Sequence, residues 1–177
     1  MKLRYLLVLL SCWVSLSYAT VSIHLYGFMD MSKATRVSNQ LKTTDKRVIF
    51  YINSIGGEVI AQRQIERAMR AYQARGGHIT VVVKSFAISA AASLTCVGNA
   101  LKMQPNSVRM FHTFALFKGR KLVKITVYNL HRYPDMKREW VRSHQDLVNC
   151  GLSSSMISKI ERGVDVYIHA NGRVRYV

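Results

Sequence analysis

Three serines, Ser85, Ser89 and Ser93, stand four residues apart in a stretch without charge after Lys84. A serine hydroxyl attacks a carbonyl only when a base takes its proton, and a histidine does this near neutral pH. The oxyanion that results needs N–H donors, each worth roughly 3 kcal/mol in comparable sites. Residues 79–83 are a β-branched run of strand length, and residues 89–97 are small, apolar and free of proline, as in a buried helix. Ser89 thus stands where a strand hands over to a helix N-terminus, whose first N–H groups lack helical partners. Gly56-Gly57 directly follows a strand at residues 47–52, and paired glycines let backbone N–H groups turn toward a ligand. A further short strand, within residues 105–112, ends at His112. By residue type alone all three serines are eligible. Small residues entering a helix also serve close packing on a sheet, and a histidine at a strand end also serves as a surface residue.

Positioning these groups falls to alternating strands and helices. Strand 21–26 ends at Gly27, and Ser32 caps a helix over residues 33–41. After the strand at residues 47–53 comes a longer helix, 59–75, with Ile60, Ile65, Ala68, Met69 and Tyr72 on one side and Gly76-Gly77 as its stop. The strand at residues 79–83 then leads into the turn before Ser89. This order implies an α/β fold with a parallel sheet and right-handed crossovers, a single domain over residues 20–177. Ligands of such sheets bind beyond the carboxyl ends of the strands, where both Gly56-Gly57 and Ser89 fall. Residues 114–128 are expected as a loop or hairpin. A helix is expected from Pro134 to Asn149, and another after Ser153 or Ser154.

Three motifs in order, Asn53-Ser54-Ile55-Gly56-Gly57, Ser85-Phe86-Ala87-Ile88-Ser89 and Pro105-Asn106-Ser107 with Met110-Phe111-His112, resemble the proteolytic subunit of Clp proteases and its relatives in the Clp–crotonase superfamily. The resemblance spans about residues 21–170. Ile55 stands where the family has proline, which loosens the turn without moving the glycines. The resemblance implies a Clp/crotonase-like fold of repeated β-α-β units. It selects Ser89 as nucleophile, His112 as general base, and the N–H groups of Gly57 and Ala90 as the oxyanion hole. It sets Gly56, Thr113 and Phe114 beside the substrate. For the third member it favours Asp165, after Ile160-Glu161-Arg162 and before Tyr167 and Ala170, with Asp135 and Asp146 as rivals on a basic helix. It further implies, within residues 113–161, a strand that binds substrate backbone and then a long helix that joins subunits, here interrupted by Pro134. Trp140, Val141, Leu147 and Val148 beside Lys137, Arg138 and Arg142 suit an interface with a polar rim. After Ala170 the pattern departs from the family, and Asn171-Gly172 reads as a hairpin turn.

The implied activity is serine-type endopeptidase action on peptides or unfolded proteins, without cofactor or metal. The alternatives are acyl-ester hydrolysis by the same site and a catalytically silent interaction or assembly module of the same fold. Lys2 and Arg4, the apolar run at residues 5–16 and Ser17-Tyr18-Ala19 read as a cleavable signal peptide over residues 1–19. That predicts a periplasmic or secreted protein, with a retained membrane anchor as the alternative. Outside the cytoplasm there is no ATP, so an ATP-independent enzyme is expected. The 177 residues carry 26 Lys and Arg against nine Asp and Glu, a net charge of +17. Such charge favours association with anionic surfaces. The cations are scattered and no nucleic-acid motif accompanies them, so dedicated nucleic-acid binding is not expected. Cys96 and Cys150 remain after export and could pair in an oxidising compartment; Cys96 lies in the apolar helix, which favours a packed free thiol over that pairing. Neither has metal-ligand spacing.

Overall fold

The structure is a computed structural model that describes residues 19–177, apart from the side chain of Phe117. The signal peptide expected at residues 1–19 lies, but for Ala19, outside the described residues. The first half alternates β1 (Thr20–Met29), α1 (Met31–Thr43), β2 (Arg47–Gly57), α2 (Val59–Ala74) and β3 (Ile79–Ile88). β1, β2 and β3 pair in parallel, Ile23 beside Phe50 and Phe50 beside Val81. α1 forms because Ala34, Val37, Ser38 and Leu41 share one face, and all four are buried. Its cap is Asp30, whose carboxylate accepts from the Lys33 N–H at 2.9 Å, so the helix starts earlier than a Ser32 cap allows. α2 buries Ala61, Gln62, Ile65, Met69 and Tyr72. Ile60, expected on that face, is exposed instead, because it lies on the first turn and outside the stripe. Alternate residues of the three strands close on the two helices to make the main core.

α3 (Ala90–Leu94) is a single short helix, and the chain then turns back into β4 (Ala100–Met103) and β5 (Val108–Phe111). Both are parallel to β3. β4 pairs with its first half, Thr80 to Val83, and β5 with its second, Phe86 to Ile88. The hairpin β6 (Ala115–Lys118) and β7 (Lys121–Lys124) forms a separate two-stranded sheet. Two 3₁₀ turns, the second beginning at Pro134, lead to α4 (Lys137–Asn149). α5 (Ser154–Glu161), capped by Ser153, β8 (Val166–His169) and β9 (Val174–Tyr176) complete the order. β8 and β9 add antiparallel strands to the β5 edge, giving the order β1-β2-β3-β5-β8-β9. The result is the expected α/β fold with a mostly parallel sheet. Among the described residues, no helix is long and apolar enough to cross a membrane.

A second core gathers Ala92, Phe111, Leu147, Ile157, Ile160 and Val166. At its edge the free-thiol expectation is overturned: Cys96 and Cys150 form a disulfide, with Cα atoms 4.9 Å apart. Cys96 follows α3 and Cys150 caps α4, and only the packing of the second core brings the two together. Arg109 reaches over this bridge, its Nη1 3.8 Å from Cys96 Sγ and 3.3 Å from Thr95 Oγ1. Burial without a facing carboxylate pushes the Arg109 pKa down. The bridge spans 54 residues, and a loop of that length is worth about 4 kcal/mol in the chain-entropy view. Cys96→Ala/Cys150→Ala is therefore expected to unfold at clearly lower urea, as does wild type with a reductant. Equal midpoints for the oxidised protein and the double variant would contradict a stabilising bridge.

Candidate active site

β3 ends at Ile88, and the next residue breaks the strand. Ser89 has φ 58° and ψ −127°, one of two described non-glycine residues with positive φ. Such a conformation costs of order 1–3 kcal/mol and persists only where the surroundings impose it. Here the Ser89 N–H donates to the Met110 carbonyl on β5 at 2.8 Å, and the Ser89 carbonyl accepts from Ala92 N–H at 2.8 Å. The residue is held on both sides while its side chain makes no capping bond to α3. A sharp strand-to-helix turn of this kind lifts a hydroxyl clear of the sheet. Ala90 opens α3, so its N–H has no helical acceptor. Ser85 is exposed on the last part of β3, and Ser93 lies within α3 at a cleft shared with Gln62, Cys96 and Asp146.

The glycine pair approaches this turn from β2. A side chain on Gly56 (φ +85°) would place its Cβ 2.6 Å from the Ile88 carbonyl oxygen and 2.9 Å from Ser89 Cβ. On Gly57 a Cβ would stand 2.1 Å from the Met29 carbonyl oxygen of β1. Only glycine fits either place. Ser54, fully buried, organises the turn: its hydroxyl donates to the Gly27 carbonyl at 2.6 Å and accepts from the Gly56 N–H at 3.1 Å. The Gly56 N–H is thereby occupied. Ser54 was visible in the motif, but its tethering role depends on Gly27, a partner 27 residues away. Gly56→Ala is expected to slow fluorophosphonate labelling about 100-fold, since displacement of the serine by an ångström has that scale of effect. Labelling at the wild-type rate with native circular dichroism would contradict the close approach.

His112 leaves β5 one residue after Phe111, so Ser89 and His112 lie at the carboxyl ends of neighbouring parallel strands. It is half-buried, and its Nδ1 lies 2.5 Å from the Thr113 carbonyl oxygen. A carbonyl there takes Nδ1–H and leaves Nε2 as the basic nitrogen. Thr113 is itself tied down, its hydroxyl donating to the Ile125 carbonyl, while Ile125 N–H donates to the Phe114 carbonyl at 2.6 Å. This clamp fixes the base of the β6–β7 hairpin beside His112. Asp165 precedes Val166, the last residue paired with Phe111, so it lies at the same end of the β5–β8 pair as His112, and its backbone is paired with Val177. Its carboxylate, however, pairs with Lys124 Nζ at 2.7 Å, and Lys124 also donates to the Gly163 carbonyl at 3.1 Å. The structure thus brings Ser89, His112 and Asp165 to one sheet end without a hydrogen bond from the histidine to the carboxylate.

The rival acids are placed differently. Asp146 on α4 receives Arg63 of α2 at 2.8 Å, with Glu66 on the same guanidinium at 3.1 Å. Burial opposes the charge on Arg63, but Asp146 and Glu66 outweigh it, and the Arg63 pKa is raised. Asp135 lies on the 3₁₀ turn at Pro134, exposed. Among the described residues, no group of three His, Cys, Asp or Glu side chains is placed to hold a metal.

The family model of the Clp protease matches residues 13–132, about two thirds of the chain. The chain belongs to the Clp protease family. That places it among peptidases. The matched span contains the Clp-family glycine pair, Ser89 and His112, and it ends before Asp165. No curated protein matches the chain.

Proposed function

We propose that this Clp-family chain is a serine endopeptidase that cleaves peptides or unfolded proteins without ATP. The observation that carries the reading is the strained Ser89 at the end of β3, its hydroxyl making no capping bond to α3, with His112 at the end of the adjacent strand. Ser89 attacks the scissile carbonyl while His112 Nε2 takes its proton. The N–H groups of Gly57 and Ala90 stabilise the tetrahedral oxyanion. His112 then protonates the leaving amine, and water repeats the cycle on the acyl-enzyme. Asp165 orients His112 once its carboxylate exchanges Lys124 for the imidazole. Substrate backbone lies along β6, whose outer edge pairs with no described strand, beside Gly56, Thr113 and Phe114.

The reading includes export, a mature domain from about Thr20, where β1 begins, and a homo-oligomer formed through α4. Exposed Val141 and Val148 support the last point, whereas Leu147 is buried in the second core and faces inward. Light scattering at micromolar concentration is expected to show an oligomer, and an active monomer would overturn that element.

The test of function is turnover. Purified protein is expected to fragment an unfolded polypeptide with no nucleotide present, and to hydrolyse peptides faster than acyl thioesters. Thioester turnover without peptide cleavage would favour the esterase alternative. Absence of both would favour the silent module.

A further inference from the structure

Residues 67–134 contain eleven Lys and Arg and no Asp or Glu. This acid-free stretch holds Ser89, His112 and the whole β6–β7 hairpin. The hairpin concentrates the charge: Lys118, Arg120, Lys121 and Lys124 fall within seven residues around the Gly119 turn. Lys124, at the hairpin base, is held by Asp165. Lys118, Arg120 and Lys121, at the tip, are exposed, and no described carboxylate pairs with them. The acids elsewhere are largely engaged, Glu66, Glu139 and Asp146 around Arg63, and Glu161 with His144 at 2.6 Å. The hairpin leaves the sheet within three residues of His112 and is clamped there by Thr113 and Ile125. At about 3.3 Å per residue the tip lies within roughly 20 Å of the histidine, the reach of some six substrate residues.

We propose that the hairpin tip selects substrates carrying acidic residues several positions from the scissile bond. This rests on the peptidase reading, because it assumes substrate running along β6. An extended peptide on that edge passes Lys118, Arg120 and Lys121, so Asp or Glu in it meets three cations that pair with no described carboxylate. A basic segment meets like charge there and is disfavoured. Exposed pairs are individually weak and screened by salt, so the preference is a sum over the tip and falls as salt rises.

The experiment measures binding on Ser89→Ala, so that it is independent of turnover. Three labelled peptides of equal length, with Asp, Asn or Lys at the same alternating positions, are followed by fluorescence anisotropy at low and moderate salt. The Asp peptide is expected to bind at least about 10-fold tighter than the Asn peptide, the sum of three modest pairs. Adding Lys118→Gln/Arg120→Gln/Lys121→Gln should abolish that preference. A control with Lys42→Gln/Lys46→Gln/Arg67→Gln, exposed residues on or near α1 and α2, removes the same charge and should retain it. Equal losses in the two triple variants would show a general charge effect and overturn the proposal. So would an oligothymidylate that binds through the same three side chains more tightly than the Asp peptide. An intact acid preference in a protein whose wild type cleaves no peptide would instead remove the peptidase reading and leave the acidic-ligand site standing.

Discussion

Ser89→Ala is expected to lower peptide turnover by roughly 10⁴- to 10⁶-fold while leaving folding and substrate affinity near wild type. The size follows from the role: without the hydroxyl no acyl-enzyme forms, and only the oxyanion donors and binding remain. Folding should survive because the side chain makes no cap bond, and the strained backbone is held through Met110 and Ala92. Alanine does carry a Cβ at φ 58°, so the strain is unchanged rather than relieved. Ser85→Ala and Ser93→Ala serve as comparators. Ser85 lies on the exposed part of β3, and Ser93 points to the cleft near Asp146, so each should stay within a few-fold of wild type. Steady-state rates with thermal melts decide the matter. A Ser89→Ala protein with more than about a tenth of wild-type turnover would remove Ser89 from the chemistry.

Asp165→Asn is expected to reduce kcat by up to about 10⁴-fold with little change in KM, the signature of losing the group that orients the base. The same change breaks the Lys124 ion pair, which also helps anchor the hairpin. Lys124→Met separates the two effects, since it loses the pair and keeps the carboxylate. Asp146→Asn should act on stability rather than kcat, because it strips Arg63 of its closest carboxylate and loosens α4 from α2. Asp135→Asn, exposed beside Pro134, should be nearly silent. If Asp165→Asn and Lys124→Met both keep near-full kcat, the Thr113 carbonyl alone orients His112, and the enzyme works as a dyad.

Local pattern was enough to place β1 to β3 and their two helices, since burial there follows periods of two and 3.6 along each segment. The helix expected from Pro134 begins at Lys137, because Pro134 to Met136 form a 3₁₀ turn; its end at Asn149 and the turn at Asn171-Gly172 were legible from local residue types. Non-local pairing was not. Residues 84–88 look like a turn, yet β3 runs on to Ile88 because β5 offers a second partner where β4 stops. α3 is only five residues long because Thr95 to Asn99 must bring the chain back along β3. β4 itself, Ala-Leu-Lys-Met, is only four residues long and exposes Leu101, so its apolar residues do not mark it as a strand. At the site, the glycine pair could be read because it needs a special backbone, whereas Ser89 was singled out from three eligible serines only by the resemblance to the Clp family. The Lys124–Asp165 pair and the Cys96–Cys150 bridge depend on partners 41 and 54 residues apart, and no local rule selects them.

The central claim is that Ser89 is an activated nucleophile, and a fluorophosphonate probe asks this directly. Intact mass after treatment should rise by one phosphonyl group per chain in wild type. Peptide mapping should place that group on the fragment containing Ser89. Ser89→Ala should show no addition, whereas Ser85→Ala and Ser93→Ala should label as wild type does. An adduct that persists in Ser89→Ala, or a folded wild type that never labels, would contradict the account.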